Sequence, residues 1–110
     1  MKQGDVYFAN LNPTKGREQQ GIRPIVIISG NAMNDHSDMV IICPLSSKIK
    51  SYAGCITLKK DKVNNLQVDS EVITFQVRAI SKERLNNKVG KVTIDQIKQI
   101  IIGLNGALTY

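Results

Sequence analysis

Arg23 is the residue of this 110-residue sequence best suited to work on an anion. It ends the polar stretch Glu18-Gln19-Gln20-Gly21-Ile22-Arg23-Pro24 and stands at the mouth of the apolar run Ile25-Val26-Ile27-Ile28. A guanidinium carries a permanent charge and a fork of donors that matches phosphate oxygens. Pro24 has no N–H, which predicts the first position of a strand, and it biases Arg23 towards an extended backbone. Gly21 lets the loop turn with positive φ or approach another backbone. The β-branched run predicts a strand buried on both faces. The competing reading of Arg23 is a loop arginine in a surface salt bridge.

Other chemistry is scarce. The sequence has no nucleophile–histidine dyad with recognisable surroundings, no glycine-rich phosphate loop before a helix, and no metal-ligand spacing. No cofactor is implied. The one histidine, His36, lies in a polar stretch of Asn, Asp and Ser and reads as solvated. Cys43 and Cys55 sit in apolar contexts and read as reduced core residues of a cytosolic protein. Fifteen Lys+Arg against nine Asp+Glu give a net charge of +6, which suits a polyanion or an acidic protein partner. No uninterrupted basic run suggests a disordered nucleic-acid arm. The N-terminus lacks an apolar signal segment, and no apolar stretch reaches the roughly 18 residues of a membrane span. These features predict a soluble, cytoplasmic protein without a membrane partner.

The elements that must position Arg23 read as strands first and a helix last. Residues 5–11 alternate as a first strand, and 12–16 carry the Pro and Gly of a turn. Residues 25–29 make the second strand, 30–38 a polar loop, and 39–45 a third strand interrupted at Pro44. Residues 55–58 form a short fourth strand. Residues 70–80 are the longest alternating run, with Gln76 and Arg78 on one face and Phe75 on the other. Residues 81–84 suit one helical turn, and 88–92 a last strand. Thr93 and Gln96 fit a capping box for the terminal helix, whose apolar stripe is read as Ile94, Ile97, Ile101, Leu104 and Leu108. Gly103 and Gly106 weaken it by about 1 kcal/mol each relative to alanine. The pattern predicts one domain over 1–110, mainly β, with five to six strands bent into a small barrel and closed by a C-terminal helix.

Gly4-Asp5-Val6-Tyr7 and the stretch from Asn12-Pro13-Thr14-Lys15-Gly16-Arg17 through Pro24 resemble the N-terminal signature of the MazF/PemK family, bacterial toxins of toxin–antitoxin pairs. The likeness continues through Cys43-Pro44-Leu45-Ser46-Ser47, through Phe75-Gln76-Val77-Arg78-Ala79-Ile80, and into the terminal helix. It implies an SH3-like barrel of the MazF/Kid/CcdB-like fold, a homodimer, an acidic cognate antitoxin, and metal-independent cleavage of single-stranded RNA. The dimer interface would use the apolar edges near 25–28, the strand ending in Leu45 and part of the terminal helix.

A nuclease built from these residues must borrow its nucleophile, and RNA supplies one in the ribose 2′-hydroxyl. The protein must then hold the phosphate, stabilise its charge and move protons. Arg23 matches the family's essential loop arginine. Ser46 falls where the family commonly has threonine and keeps the hydroxyl, although a turn serine is the competing reading. Glu18 matches an acidic loop residue that orients Arg23, contacts substrate, or is simply solvated. Gln19, Gly21, Pro24 and Ser47 fall along the implied substrate path. Gln76 and Arg78 suit base or backbone contacts, with an edge salt bridge as the other reading of Arg78. Some members carry an acid where this sequence has Phe75, which closes an acid–base role there; alternation assigns Phe75 to the core. Loops 30–38 and 47–53 correspond to the variable loops on which base readout depends. A same-fold toxin directed at a protein such as gyrase, and a catalytically silent RNA-binding module, are the alternatives.

Overall fold

In a computed structural model, which describes residues 1–109, the apolar run after Arg23 becomes a central strand. The elements are β1 (Asp5–Asn10), β2 (Ile22–Ile27), α1 (Asn31–His36), β3 (Met39–Ser46), β4 (Ile56–Leu58), β5 (Ser70–Val72), β6 (Arg78–Ser81), β7 (Leu85–Lys91) and α2 (Ile94–Thr109). Two 3-10 turns, Thr74–Gln76 and Lys82–Arg84, flank β6. The seven strands pair antiparallel in the order β4-β5-β3-β2-β1-β7, with β6 also on β3. This is the expected mainly β, barrel-like architecture with a C-terminal helix. The sheet is open rather than closed, and it has seven strands where the sequence predicts five or six.

β2 feeds both faces of the sheet, as a continuous apolar run should. Ile25 and Ile27 pack with Ala9, Leu11, Val40, Ile42 and Ile80. Val26 and Ile28 join Val6, Cys43, Leu45, Leu58, Val72, Ile97 and Ile100 beneath α2. Each fully buried Val, Leu or Ile contributes about 1.5–3 kcal/mol. Ile25, Val26, Ile27 and Leu45 are therefore committed to the interior and cannot supply the expected dimer interface.

Pro24 is the third residue of β2, not the first. It pairs with Phe8 of β1 but lies one residue beyond the last β2–β3 pair, Ile25 with Pro44. Leu11 N–H donates to Gly21 O at 2.9 Å, and the two-residue period from there makes Phe8/Pro24 a pair without ladder hydrogen bonds. A missing N–H costs the sheet nothing at that position. Pro44 likewise leaves β3 unbroken, and its carbonyl accepts from Ile73 N–H at 3.0 Å.

Two further expectations are corrected. Residues 30–38 hold the short helix α1, pinned by Asn34, whose side chain is buried against Ser29. His36, in its last turn, is exposed as expected. The run 70–80 is broken into β5, a 3-10 turn and β6. Thr74 is fully buried, and its hydroxyl donates to Gly54 O at 2.9 Å. Drawing that side chain inward breaks the alternation, so Gln76 and Arg78 do not share a strand face.

The capping box of α2 is present in both directions. Gln96 N–H donates to Thr93 Oγ1 at 3.1 Å, and Thr93 N–H donates to Gln96 Oε1 at 2.9 Å. The buried stripe is Ile97 and Ile100 with half-buried Leu104, whereas Ile94 and Leu108 face outward. Gly103 is needed for close approach: an added Cβ would lie 2.0 Å from the Gly54 carbonyl oxygen.

Candidate active site

Ser46 ends β3 at the floor of a cleft of about 390 Å³, which Gln19, Lys48, Phe75 and Gln76 also line. Its hydroxyl accepts from Lys48 N–H at 3.2 Å, a turn-type bond that fixes the start of the following loop. Glu71, paired across the strands with Ser46, holds that loop from below. Glu71 is fully buried, and its two carboxylate oxygens accept from Lys50 N–H and Tyr52 N–H, each at 2.9 Å. The loop thereby presents Lys48, Lys50 and Tyr52 to the cleft.

The opposite wall comes from the polar stretch before β2. Gln76 Oε1 accepts from Gln19 N–H at 2.7 Å, and its Nε2 donates to Arg17 O at 3.3 Å. Both ends of the Gln76 carboxamide are thus spent on positioning that stretch, and Arg17 and Gln19 are brought to the cleft wall. Gln19 Oε1 is buried without a hydrogen-bond partner among the described residues. Glu18 is exposed and accepts from Lys15 N–H at 2.6 Å, closing a local turn rather than orienting Arg23. Gly21 turns with φ of +76°, and its N–H donates to Asn12 Oδ1 at 3.1 Å.

Arg23 lies just across the end of the β2–β3 ladder. The ladder ends at the pair Ile25/Pro44, and Arg23 and Ser46 each lie two residues beyond it on their own strands. The two nevertheless line adjoining hollows. Arg23 belongs to a smaller, mostly apolar depression of about 210 Å³, with Pro24, Phe8, Leu45 and Ser47. Arg23 Nε donates to Gln20 O at 3.0 Å, which anchors the base of the guanidinium and uses one of its five N–H donors.

The remaining candidate has a structural partner. Arg78 Nη1 donates to Leu11 O at 3.2 Å, which ties β6 to the end of β1 in place of the edge salt bridge considered from sequence. Phe75 is not core. It is half exposed, and its ring meets that of Tyr52 edge-to-face at 5.2 Å. Burial pushes the Cys43 thiol up to about 12, with Cys55 adding to the shift, so Cys43 is held as an inert core thiol. No group of three or more His, Cys, Asp or Glu placed to hold a metal occurs among the described residues. Sequence reasoning missed Arg17, Lys48, Lys50 and Tyr52 as cleft residues and Glu71 as their support. The interleaving of Lys48, Lys50 and Tyr52 was a readable signal; the role of Glu71 was not.

Residues 2–108 match the PemK-like, MazF-like toxins of type II toxin–antitoxin systems. The chain belongs to this family. A relative named Endoribonuclease MazF, from Staphylococcus saprophyticus, is 34% identical over 102 residues, covering 91% of this chain and 84% of that protein. The fold of the toxin is similar to that of MazF from Deinococcus radiodurans, with a TM-score of 0.85 at 24% identity over 100% of this chain and 97% of that one. A mycobacterial endoribonuclease solved with its cognate antitoxin superposes with a TM-score of 0.80 at 22% identity, covering 98% and 94% of the two chains. The toxin is an endoribonuclease by this kinship. No helix among its described residues is long and apolar enough to cross a membrane.

Proposed function

We propose that this toxin cleaves single-stranded RNA, mRNA above all, without a metal, by attack of a ribose 2′-hydroxyl on the adjacent phosphate. The observation that carries this reading is the cleft itself. The Ser46 hydroxyl lies among Arg17, Lys48 and Lys50, and Arg23 lines the adjoining hollow beyond the end of the β2–β3 ladder. A basic groove of this kind follows a polyanion strand. In the reaction the 2′-oxygen forms a bond to phosphorus, the bond to the 5′-oxygen breaks, and one proton leaves as another is delivered. Arg23 stabilises charge on the non-bridging oxygens, and Ser46 hydrogen-bonds the phosphate or relays a proton. Gln19, Ser47 and Pro24 border the strand's path, and Glu18, Gly21, Gln76 and Arg78 hold the loops that shape it.

The toxin domain spans 1–110 and works in the cytoplasm as a homodimer, restrained by an acidic antitoxin segment that folds over the basic cleft. In EDTA the purified toxin should cut a long RNA, leaving a 2′,3′-cyclic phosphate or 3′-phosphate upstream and a 5′-hydroxyl downstream. A strict requirement for added Mg²⁺, or a 5′-phosphate on the downstream fragment, would overturn the mechanism.

Ser46→Ala should slow cleavage by on the order of tenfold or more, whereas Ser46→Thr retains activity. Single-turnover rates at saturating RNA read the effect directly. Full activity in Ser46→Ala would leave the hydroxyl with only its turn-forming bond to Lys48.

A further inference from the structure

The cleft contains a feature that phosphate chemistry alone does not require. Tyr52 and Phe75 stand on its rim, 42% and 50% exposed, with ring planes at 90°. Two aromatic side chains half open to water beside three cations are a poor use of apolar surface unless something covers them. Both are held in place through their backbones. Tyr52 N–H is bonded to the buried Glu71 carboxylate at 2.9 Å. Phe75 sits at the centre of the 3-10 turn, whose bonds are Gln76 N–H to Ile73 O at 3.1 Å and Val77 N–H to Thr74 O at 3.2 Å. The buried Thr74 turns its successor outward.

An edge-to-face pair spends one ring edge and one ring face on itself and leaves a flat π surface open. With Arg17, Lys48 and Lys50 around it, that surface matches one chemistry: a planar base joined to phosphates. The cleft volume of about 390 Å³ lies in the range that holds a small planar ligand.

We propose that the Tyr52–Phe75 pair is a stacking platform for one unpaired base of the RNA strand, beside the linkage held at Ser46. The proposal rests on the ribonuclease reading of this cleft. Arg17, Lys48 and Lys50 take the flanking phosphates, and the rings take the base. Every base has a π face, so the platform supplies grip and demands a single strand, rather than reading a letter. Duplex RNA keeps its bases stacked on each other and cannot use it.

The test compares wild type, Tyr52→Leu, Phe75→Leu and Phe75→Tyr in two assays. The first is binding of a labelled single-stranded 2′-O-methyl RNA, which cannot supply the attacking hydroxyl. The second is cleavage of the matching RNA. Each leucine variant should weaken binding and raise KM by about 10- to 100-fold, the loss expected for one base stack. Their kcat should stay within about threefold, because a ground-state grip is what has been removed. Phe75→Tyr should bind as wild type does. Scanning one abasic site along the RNA should find a position that weakens wild-type binding and adds nothing in Phe75→Leu, and the duplex should not compete. Leucine variants that bind like wild type, or an abasic scan without such a position, would overturn the platform. A wild type that cleaves but shows no ring dependence removes the platform and spares the ribonuclease. Ring-dependent binding without cleavage supports the platform and removes the ribonuclease.

Discussion

Arg23→Ala lowers the cleavage rate by on the order of a hundred- to thousandfold, the cost of losing one donor aimed at transition-state charge. The melting temperature stays close to that of wild type. The reason for the separation is where Arg23 sits. Its one side-chain hydrogen bond among the described residues, Nε to Gln20 O, is an exposed side chain–backbone contact, and such bonds contribute about 1 kcal/mol or less. The strand around it is held by other means: the β1–β2 register from Val6/Val26 to Asn10/Ile22, and burial of Ile25 and Ile27. Arg23→Lys recovers little, because an ammonium is a point charge without the planar fork. Single-turnover cleavage with a parallel thermal melt checks both halves. An active Arg23→Ala would take transition-state stabilisation away from this residue. An unfolded one would show that the loop carries more of the structure than its bonds indicate.

Glu71→Ala destabilises the fold by about 2–3 kcal/mol: the two hydrogen bonds lost to a charged acceptor are worth about 1.5–3 kcal/mol each, about 3–6 together, and relief of the carboxylate's desolvation offsets part of that. For a domain of this size that is roughly a 10–15 °C fall in melting temperature. An opposing effect exists, since removing a buried charge relieves its desolvation. Relief wins only when the partners are replaced as well; truncating one side leaves the others stranded. Here the stranded groups are the N–H donors of Lys50 and Tyr52. Glu71→Gln should fall between the two, since a carboxamide keeps one acceptor and turns a donor towards the other N–H. Both variants should also raise KM, because the loop that carries Lys48, Lys50 and Tyr52 loses its anchor. Thermal unfolding followed by circular dichroism, beside cleavage kinetics, measures this; variants that melt with wild type would show that the loop is held without the carboxylate.

The endoribonuclease kinship of the chain disfavours the gyrase-directed reading. Such a toxin would not need the pair Arg23 and Ser46. A silent RNA-binding module remains separable by the Ser46 and Arg23 variants alone.

Several elements were legible in the sequence because their causes are local. The run Ile25–Ile28 has no polar position and had to be buried on both sides. Thr93 and Gln96 lie three residues apart, and three residues is the reach of a capping box. The Arg23-Pro24 signature carried the family, and with it the barrel-like fold. Periodicity placed the terminal helix and the middle of its buried face, Ile97 and Leu104, but not its ends: Ile94 and Leu108 fit the stripe yet face outward, and tertiary packing buried Ile100 as well. Gly103 read as a weakness of that helix until Gly54 was found against it.

What only the tertiary structure decided shares one physical origin. A side chain's direction depends on partners far away in sequence. Thr74 bonds Gly54 O, and that contact, twenty residues distant, broke an alternating strand and turned Phe75 out of the core. Glu71 was one acidic residue in an apolar run until the fold set it beneath the 47–55 loop, where two backbone donors needed an acceptor. Gln76 had donors and acceptors suited to a base, and the fold spent both on the loop fifty-seven and fifty-nine residues before it. The sequence by itself determined which chemistry this protein can do, because residue types and a short motif set that. The tertiary structure decided which side chains border the cleft, because buried polar groups must find partners and long-range hydrogen bonds choose among them.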